Sequence, residues 1–127
     1  MLFRSEVERG PVVVLAATDP AQPYGASLEW PPSPGRPTRS ANALVVLCDG
    51  SPSVWFDHRA HHLVTFEDAL GDTRWADALA SLVKDGRLRN VEVRKVDGVP
   101  VGATSRWADA LRDAGFEEGY RGWVRRT

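Results

Sequence analysis

All three histidines of the chain fall in "DHRAHHL" (residues 57–63), where His58, His61 and His62 stand beside Asp57. Imidazole and carboxylate groups so close in sequence could hold a metal ion or relay a proton. The spacing speaks against both uses. It fits no defined ligand pattern, and His61 and His62, as neighbours on a strand, would point to opposite faces. A solvated hairpin turn is the simpler reading, and neither a metal ligand nor a catalytic residue is assigned. The carboxylate pairs Glu67-Asp68 and Glu117-Glu118 lie beside a helix or a turn, where acidic residues commonly cap and solubilise. Cys48, the single cysteine, is embedded in an apolar run and behaves as a small hydrophobe rather than a nucleophile. The sequence holds no G-x-x-x-x-G-K-[S/T] phosphate loop, no G-x-G-x-x-G dinucleotide turn and no G-x-S-x-G elbow. No independent catalytic apparatus is visible, so the chain is not expected to be an enzyme alone.

A different chemistry is suggested by aromatic residues interleaved with arginines. Tyr24, Trp30, Trp55, Tyr120 and Trp123 lie near Arg36, Arg39, Arg59, Arg121, Arg125 and Arg126. Aromatic rings can stack on bases while guanidinium groups hold phosphates, which makes these six arginines the candidate nucleic-acid contacts. The competing reading is that most of these aromatics fill the core. A formal net charge of −1 supplies no general attraction for a polyanion. The charge is uneven, however: residues 87–127 carry nine Arg/Lys against six Asp/Glu.

The elements that must position these groups follow from hydrophobic periodicity. Residues 11–18 read as a buried strand closed by Asp19-Pro20. Residues 19–40 hold six prolines, and the Pro/Arg-rich stretch 30–40 can form neither helix nor central strand. So long an irregular connection is usually disordered or functional. A β-meander follows, with strands at 43–48, 53–57 and 62–66 joined by turns at Asp49-Gly50-Ser51-Pro52 and His58-Arg59-Ala60-His61. "RWADAL" occurs at residues 74–79 and again at 106–111. In the first copy Trp75, Leu79, Leu82 and Val83 share one helical face, with Asp72 or Thr73 as cap and Gly86 as stop. In the second, Ser105 caps, Trp107, Ala110, Leu111 and Ala114 form the stripe, and Gly115 ends it. Convergence on one packing stripe explains the repeat better than duplication, and both tryptophans are expected in the core. Residues 87–96 alternate as a half-buried strand, Asp97-Gly98 turns into a short strand at 99–101, and residues 120–126 form the last strand. The sum is an α+β domain: two helices on a mainly antiparallel, barrel-like sheet of six or more short strands.

A chain of 127 residues, 43% hydrophobic and 26% charged, is one ordinary globular domain able to bury a core without staples. No apolar run approaches the length of a membrane span, and the lone cysteine fits a reducing cytoplasm.

Four stretches carry a family resemblance: "VVVLAATDPAQPYGASLEWP", "RPTRSANALVVLCDG", "VWFDHRAHHLVTF" and "LRDAGFEEGYRGWVRR". Together they resemble the C-terminal module of large helicase-related (Lhr) proteins. That pattern runs L-A-A-x-D-P-A-N-P-Y-G-x-x-L-x-W-P, a Pro/Arg-rich gap, G-A-x-V-V-L-x-D-G, a short hairpin into L-L-T-F, and a closing A-G-F-x-x-x-x-R-G. The resemblance covers nearly everything from Pro11 onward. It departs at Gln22, where Asn is usual, at Glu29, where Pro is usual, and in the His-rich turn, where Gly is more common. It implies an accessory module of an ATP-dependent, 3′-to-5′ DNA helicase of superfamily 2 (DEAD/DEAH type) that acts in DNA repair. ATP and Mg would belong to the motor core, for whose residues this chain has no matching positions. The implied partners are single-stranded DNA, reached through the parent protein, and neighbouring winged-helix domains. The implied location is the cytoplasm, in association with the nucleoid. Two further readings stay open: a component of an AlkZ-like DNA glycosylase, with Asp49 and Asp57 as strand-edge carboxylates, and a purely structural module that forms homo-oligomers. The expected organisation is one domain over residues 11–127, preceded by a non-native or disordered start at 1–10. Leu2-Phe3-Arg4-Ser5 matches the translation of a common sequencing-adapter end, so residues 1–5 read as a scar, with native sequence resuming near Glu6. The alternative is the frayed start of a natural short protein.

Overall fold

A computed structural model describes residues 11–67, 69–102 and 105–126. The start expected to be non-native or disordered, residues 1–10, lies outside them, as do Asp68 of the acidic pair and Thr127. The first strands are β1 (Val12–Ala16), β2 (Ala43–Cys48), β3 (Ser51–Asp57) and β4 (His62–Thr65). β2, β3 and β4 form the antiparallel meander expected from their aliphatic and β-branched runs, and β1 adds to it by antiparallel pairing with β2. Asp49 takes a left-handed φ of 56°, so the β2–β3 turn is tighter than expected and Ser51 and Pro52 already belong to β3. Helix α1 (Arg74–Lys84) follows. The later elements are β5 (Asn90–Val93), β6 (Lys95–Val96), β7 (Val99–Pro100), helix α2 (Ala108–Asp113), β8 (Glu117–Glu118) and β9 (Trp123–Arg126).

The strands make two sheets, in the orders β1-β2-β3-β4-β6-β7 and β5-β9-β8. The architecture is α+β with mostly antiparallel pairing, as expected, and the strands divide between two sheets with no closed barrel among the described residues. The cause is local. Val93 pairs with Trp123 of β9, whereas Lys95 pairs in parallel with His62 of β4, so the chain changes sheets at Arg94. The single strand expected over residues 87–96 is therefore divided. Its first residues end α1 instead: the N–H groups of Arg87 and Leu88 both donate to the Leu82 carbonyl.

One face of the six-stranded sheet packs on α1 and the three-stranded sheet. Val46, Phe56, Leu63, Trp75, Leu79, Val93, Leu111 and Trp123 are buried there. The two tryptophans of the repeated hexapeptide meet edge to face at 6.1 Å, and the Trp75 Nε1–H donates to the Ala69 carbonyl. Both are core, as expected. The helix starts are capped only in part. Asp72 Oδ1 accepts from the Arg74 N–H and Ser105 Oγ from the Trp107 N–H, while Thr73 makes no capping bond.

The opposite face buries Val45, Leu47, Trp55, Val64 and Phe66, and it is covered by the proline-rich segment. Proline and the absence of periodicity preclude a helix there, so side chains fasten the segment to the sheet. Ser33 Oγ donates to the Thr65 carbonyl (2.9 Å) and the Trp55 Nε1–H to the Thr38 carbonyl (2.8 Å). Gly35 lies so close to Val64 that an added Cβ would stand 2.7 Å from a Val64 methyl. Tyr24, Trp30 and Phe66 stack in series at 6.2 and 6.0 Å. Buried Gln22 donates to the carbonyls of Ala17 and Tyr24 and accepts from the Tyr24 N–H. The stretch resembling D-P-A-N-P-Y-G is thus a folded knot on the sheet.

Candidate nucleic-acid interface

Two turns and the crossing between sheets converge on one polar cluster. In the β3–β4 turn, Asp57 Oδ1 accepts from the N–H groups of Arg59 (2.9 Å) and Ala60 (3.0 Å), an Asx-type closure. His61 adopts φ 58°, and its carbonyl accepts from the Arg94 and Lys95 N–H groups at the sheet crossing. Residues 61 and 94 are thereby brought together across thirty-odd positions of sequence.

Glu92 lies at the centre. Its carboxylate accepts from Arg94 Nε (3.0 Å) and Nη2 (3.1 Å), and His61 Nδ1 stands 4.0 Å away. The Arg94 hydrogen bonds hold Glu92 below the usual carboxylate range against the opposing effect of burial, and the charges of Arg94, His61 and Arg121 add to the lowering. Arg121 belongs to the third component, a turn in which the Gly119 N–H donates to the Gly122 carbonyl (2.6 Å). Gly122 is buried against the sheet crossing. A Cβ there would overlap the Val93 carbonyl oxygen and meet Arg94 Cα, so only glycine fits.

The six candidate arginines separate into groups. Arg36 is exposed in the proline-rich segment. Arg39 is in the same segment, and its guanidinium donates to the carbonyls of Gln22 (2.6 Å), Tyr24 (3.3 Å) and Asp19 (3.5 Å). Its fork closes the knot. Arg59 and Arg121 are exposed on the two turns that flank Glu92. Arg126 is exposed on β9 opposite Asn90, while Arg125, opposite Val91, is half-buried and donates through Nη1 to the Arg126 carbonyl. The run of arginines at residues 121–126 therefore does not share one surface.

Among the five aromatics, Trp55 and Trp123 are core and Tyr24 and Trp30 are in the stack, whereas Tyr120 is fully exposed. The expectation of a strand over 120–126 holds only from Trp123 onward, because the turn takes Tyr120 and Arg121. Sequence reasoning missed Glu92 and Arg94. Their i, i+2 spacing on an alternating segment was visible, but their meeting with His61 depends on the sheet crossing.

Several other polar groups outside this cluster have structural partners. A cavity of about 460 Å³ is lined by Cys48, Asp49, Ser51, Ser53, Glu67 and Asp72, among others. Burial and then the Asp72 charge push the Cys48 thiol up, which suppresses its nucleophilic form. Arg74 bridges Asp72 (2.7 Å) and Asp49 (3.0 Å). His62 Nε2 accepts from the Gly98 N–H. Among the described residues no group of three or more His, Cys, Asp or Glu could hold a metal ion, and no helix is long and apolar enough to cross a membrane.

No protein-family model matches the chain. Two curated relatives do. A protein of Mycolicibacterium smegmatis named "Lhr helicase/ probable uracil glycosylase" is 48% identical over 93 residues, covering 70% of this chain and 6% of the relative. One of Escherichia coli K12 named "Lhr helicase/uracil glycosylase" is 31% identical over 115 residues, covering 87% of this chain and 7% of the relative. The chain thus spans less than a tenth of the length of the relatives it matches.

Proposed function

From the premise that this chain belongs to the Lhr family, as its C-terminal module, we propose that it is an accessory, non-motor domain of an ATP-dependent 3′-to-5′ DNA helicase of superfamily 2. In this reading the parent protein acts in DNA repair in the cytoplasm, in association with the nucleoid. Its motor core binds ATP and Mg, and this module packs against neighbouring winged-helix domains and helps guide single-stranded DNA. The observation that carries the reading is the 48% identity to the mycobacterial relative across 70% of the chain.

The surface best suited to guidance runs between Arg59 and Arg121. Both guanidinium groups are exposed, and Arg94 already neutralises the Glu92 carboxylate between them. Arg126 is a separate exposed guanidinium on β9. Arg39 is spoken for by backbone carbonyls and Arg125 is half-buried, so neither is given a primary role. Phosphate contacts of this kind make affinity fall with salt, by a log–log slope of roughly −0.7 per phosphate neutralised on a single strand. Fluorescence anisotropy with a labelled oligonucleotide at several salt concentrations tests the proposal. Binding should weaken with salt, and an Arg59/Arg121/Arg126→Ala variant should lose both affinity and slope. Salt-independent binding, or none at low salt, would remove the guiding role.

The relatives' names also support a second reading, a glycosylase component. Asp49 and Asp57 are its strand-edge carboxylates. Asp49 is ion-paired with Arg74 and Asp57 closes the β3–β4 turn, so a structural role accounts for each. Release of uracil from DNA by the isolated chain, lost on Asp57→Asn, would promote this reading over the first. Self-association without either activity would favour an oligomerising module instead.

A further inference from the structure

We propose that the ring of Tyr120 is a stacking platform for a nucleobase of single-stranded DNA. This rests on the DNA-guiding reading above and assigns it a contact residue that is not an arginine. Tyr120 is 100% exposed, and no packing within the described residues uses its ring. Complete exposure leaves the ring face open to a planar partner.

The ring is also well based. It projects from the turn closed by the Gly119 N–H on the Gly122 carbonyl, and Gly122 is wedged against the Val93 carbonyl and Arg94 Cα. A platform on so tight a turn loses less freedom on binding than one on a loose loop.

One exposed cation adjoins the ring and can hold a phosphate. Arg121 follows directly in the chain and is exposed, and Arg94 is engaged with Glu92. Glu117 and Glu118 are exposed on β8 and would repel a phosphate, so Arg121 is the group left to hold the backbone. Base on ring and phosphate on guanidinium is the pairing used by proteins that hold single strands without reading sequence.

The test uses the full chain and an oligonucleotide carrying 2-aminopurine, whose fluorescence falls on stacking. Wild type should bind and quench the probe. Tyr120→Ala should weaken binding at least about fivefold and abolish the added quench, since base stacking on an aromatic carries that much or more. Tyr120→Phe should remain close to wild type, because the ring and not the hydroxyl makes the contact. Arg121→Ala should lower the salt slope and keep the quench. Identical thermal unfolding of wild type and Tyr120→Ala would confirm that the fully exposed position does not affect folding.

If wild type binds and Tyr120→Ala binds and quenches equally well, stacking is overturned while the DNA-guiding reading stands. If wild type fails to bind at low salt, both are overturned. If Tyr120→Ala leaves DNA binding intact but breaks association with the winged-helix portion of an Lhr relative, the ring is a protein anchor and the proposal fails.

Discussion

The two faces of the six-stranded sheet are covered in physically different ways. On one, α1 supplies Trp75, Leu79, Leu82 and Val83 from a regular backbone whose own hydrogen bonds are satisfied internally. On the other, a segment with six prolines has no such internal ladder. Its backbone is satisfied piecemeal, by isolated turn bonds such as the Leu28 N–H to the Pro23 carbonyl, by the Gln22, Ser33 and Arg39 side chains, and by a bond from the Trp55 indole. The helical face depends mainly on buried apolar volume, and the loop face depends as much on a few polar side chains that reach backbone. The difference shows what irregular cover requires: each orphaned carbonyl or N–H needs an individual partner.

The comparison can be broken most severely at Trp75, which is fully buried. Trp75→Ala should cost about 3–5 kcal/mol, seen as a lower urea midpoint for the whole domain. Melting of the helical face alone, with the loop face intact, would show that the two are independent units.

Gln22→Ala should cost less, about 1–3 kcal/mol, by leaving buried groups at Ala17 and Tyr24 unpaired. Its signature should be local, with faster hydrogen exchange over residues 19–40 and little change in α1. Arg39→Lys comes next, at about 1 kcal/mol, because a lysine cannot fork to several carbonyls. Gln22 and Arg39 share the Tyr24 carbonyl, so the double variant should deviate from additivity in a double-mutant cycle.

The smallest effect concerns pH. The loop face is fastened by Gln22 and Arg39, whereas the cluster beside β5 contains a carboxylate. Glu92 has a folded value lowered from its ordinary 4.5, so its contribution is fully present above that value and is lost as pH falls through the lower folded one. Thermal unfolding should show that Glu92→Gln loses less stability than wild type between neutral pH and about pH 3. Equal losses would mean that the Arg94–Glu92 pair does not stabilise the fold.

The meander was legible because its strands are nearly unbroken aliphatic runs punctuated by Asp49-Gly50 and by the His-rich turn. The stripe of Trp75, Leu79, Leu82 and Val83 gave α1 away by period. Two features were hidden. Val91, Val93 and Val96 look like one alternating strand, yet the sheet changes between them, since the pattern records burial and not the identity of the partner strand. The proline-rich segment has no period at all, and its order comes from contacts such as Arg39 to Gln22 and Gly35 to Val64 that only the assembled sheet creates. At the candidate site, Arg59 and Arg121 were visible as residue types. Sequence could not tell them from Arg39, whose guanidinium faces carbonyls, or from Arg125, which the β5–β9 register half-buries.

The measurement that bears most directly on this division of labour is amide chemical-shift mapping of the full chain during titration with single-stranded DNA. Shifts should concentrate at residues 58–61, 92–94 and 119–126 and spare residues 30–39. Shifts centred on Arg36 and Arg39, with the Arg59 and Arg121 turns unmoved, would contradict the account by making the loop face the DNA-binding surface.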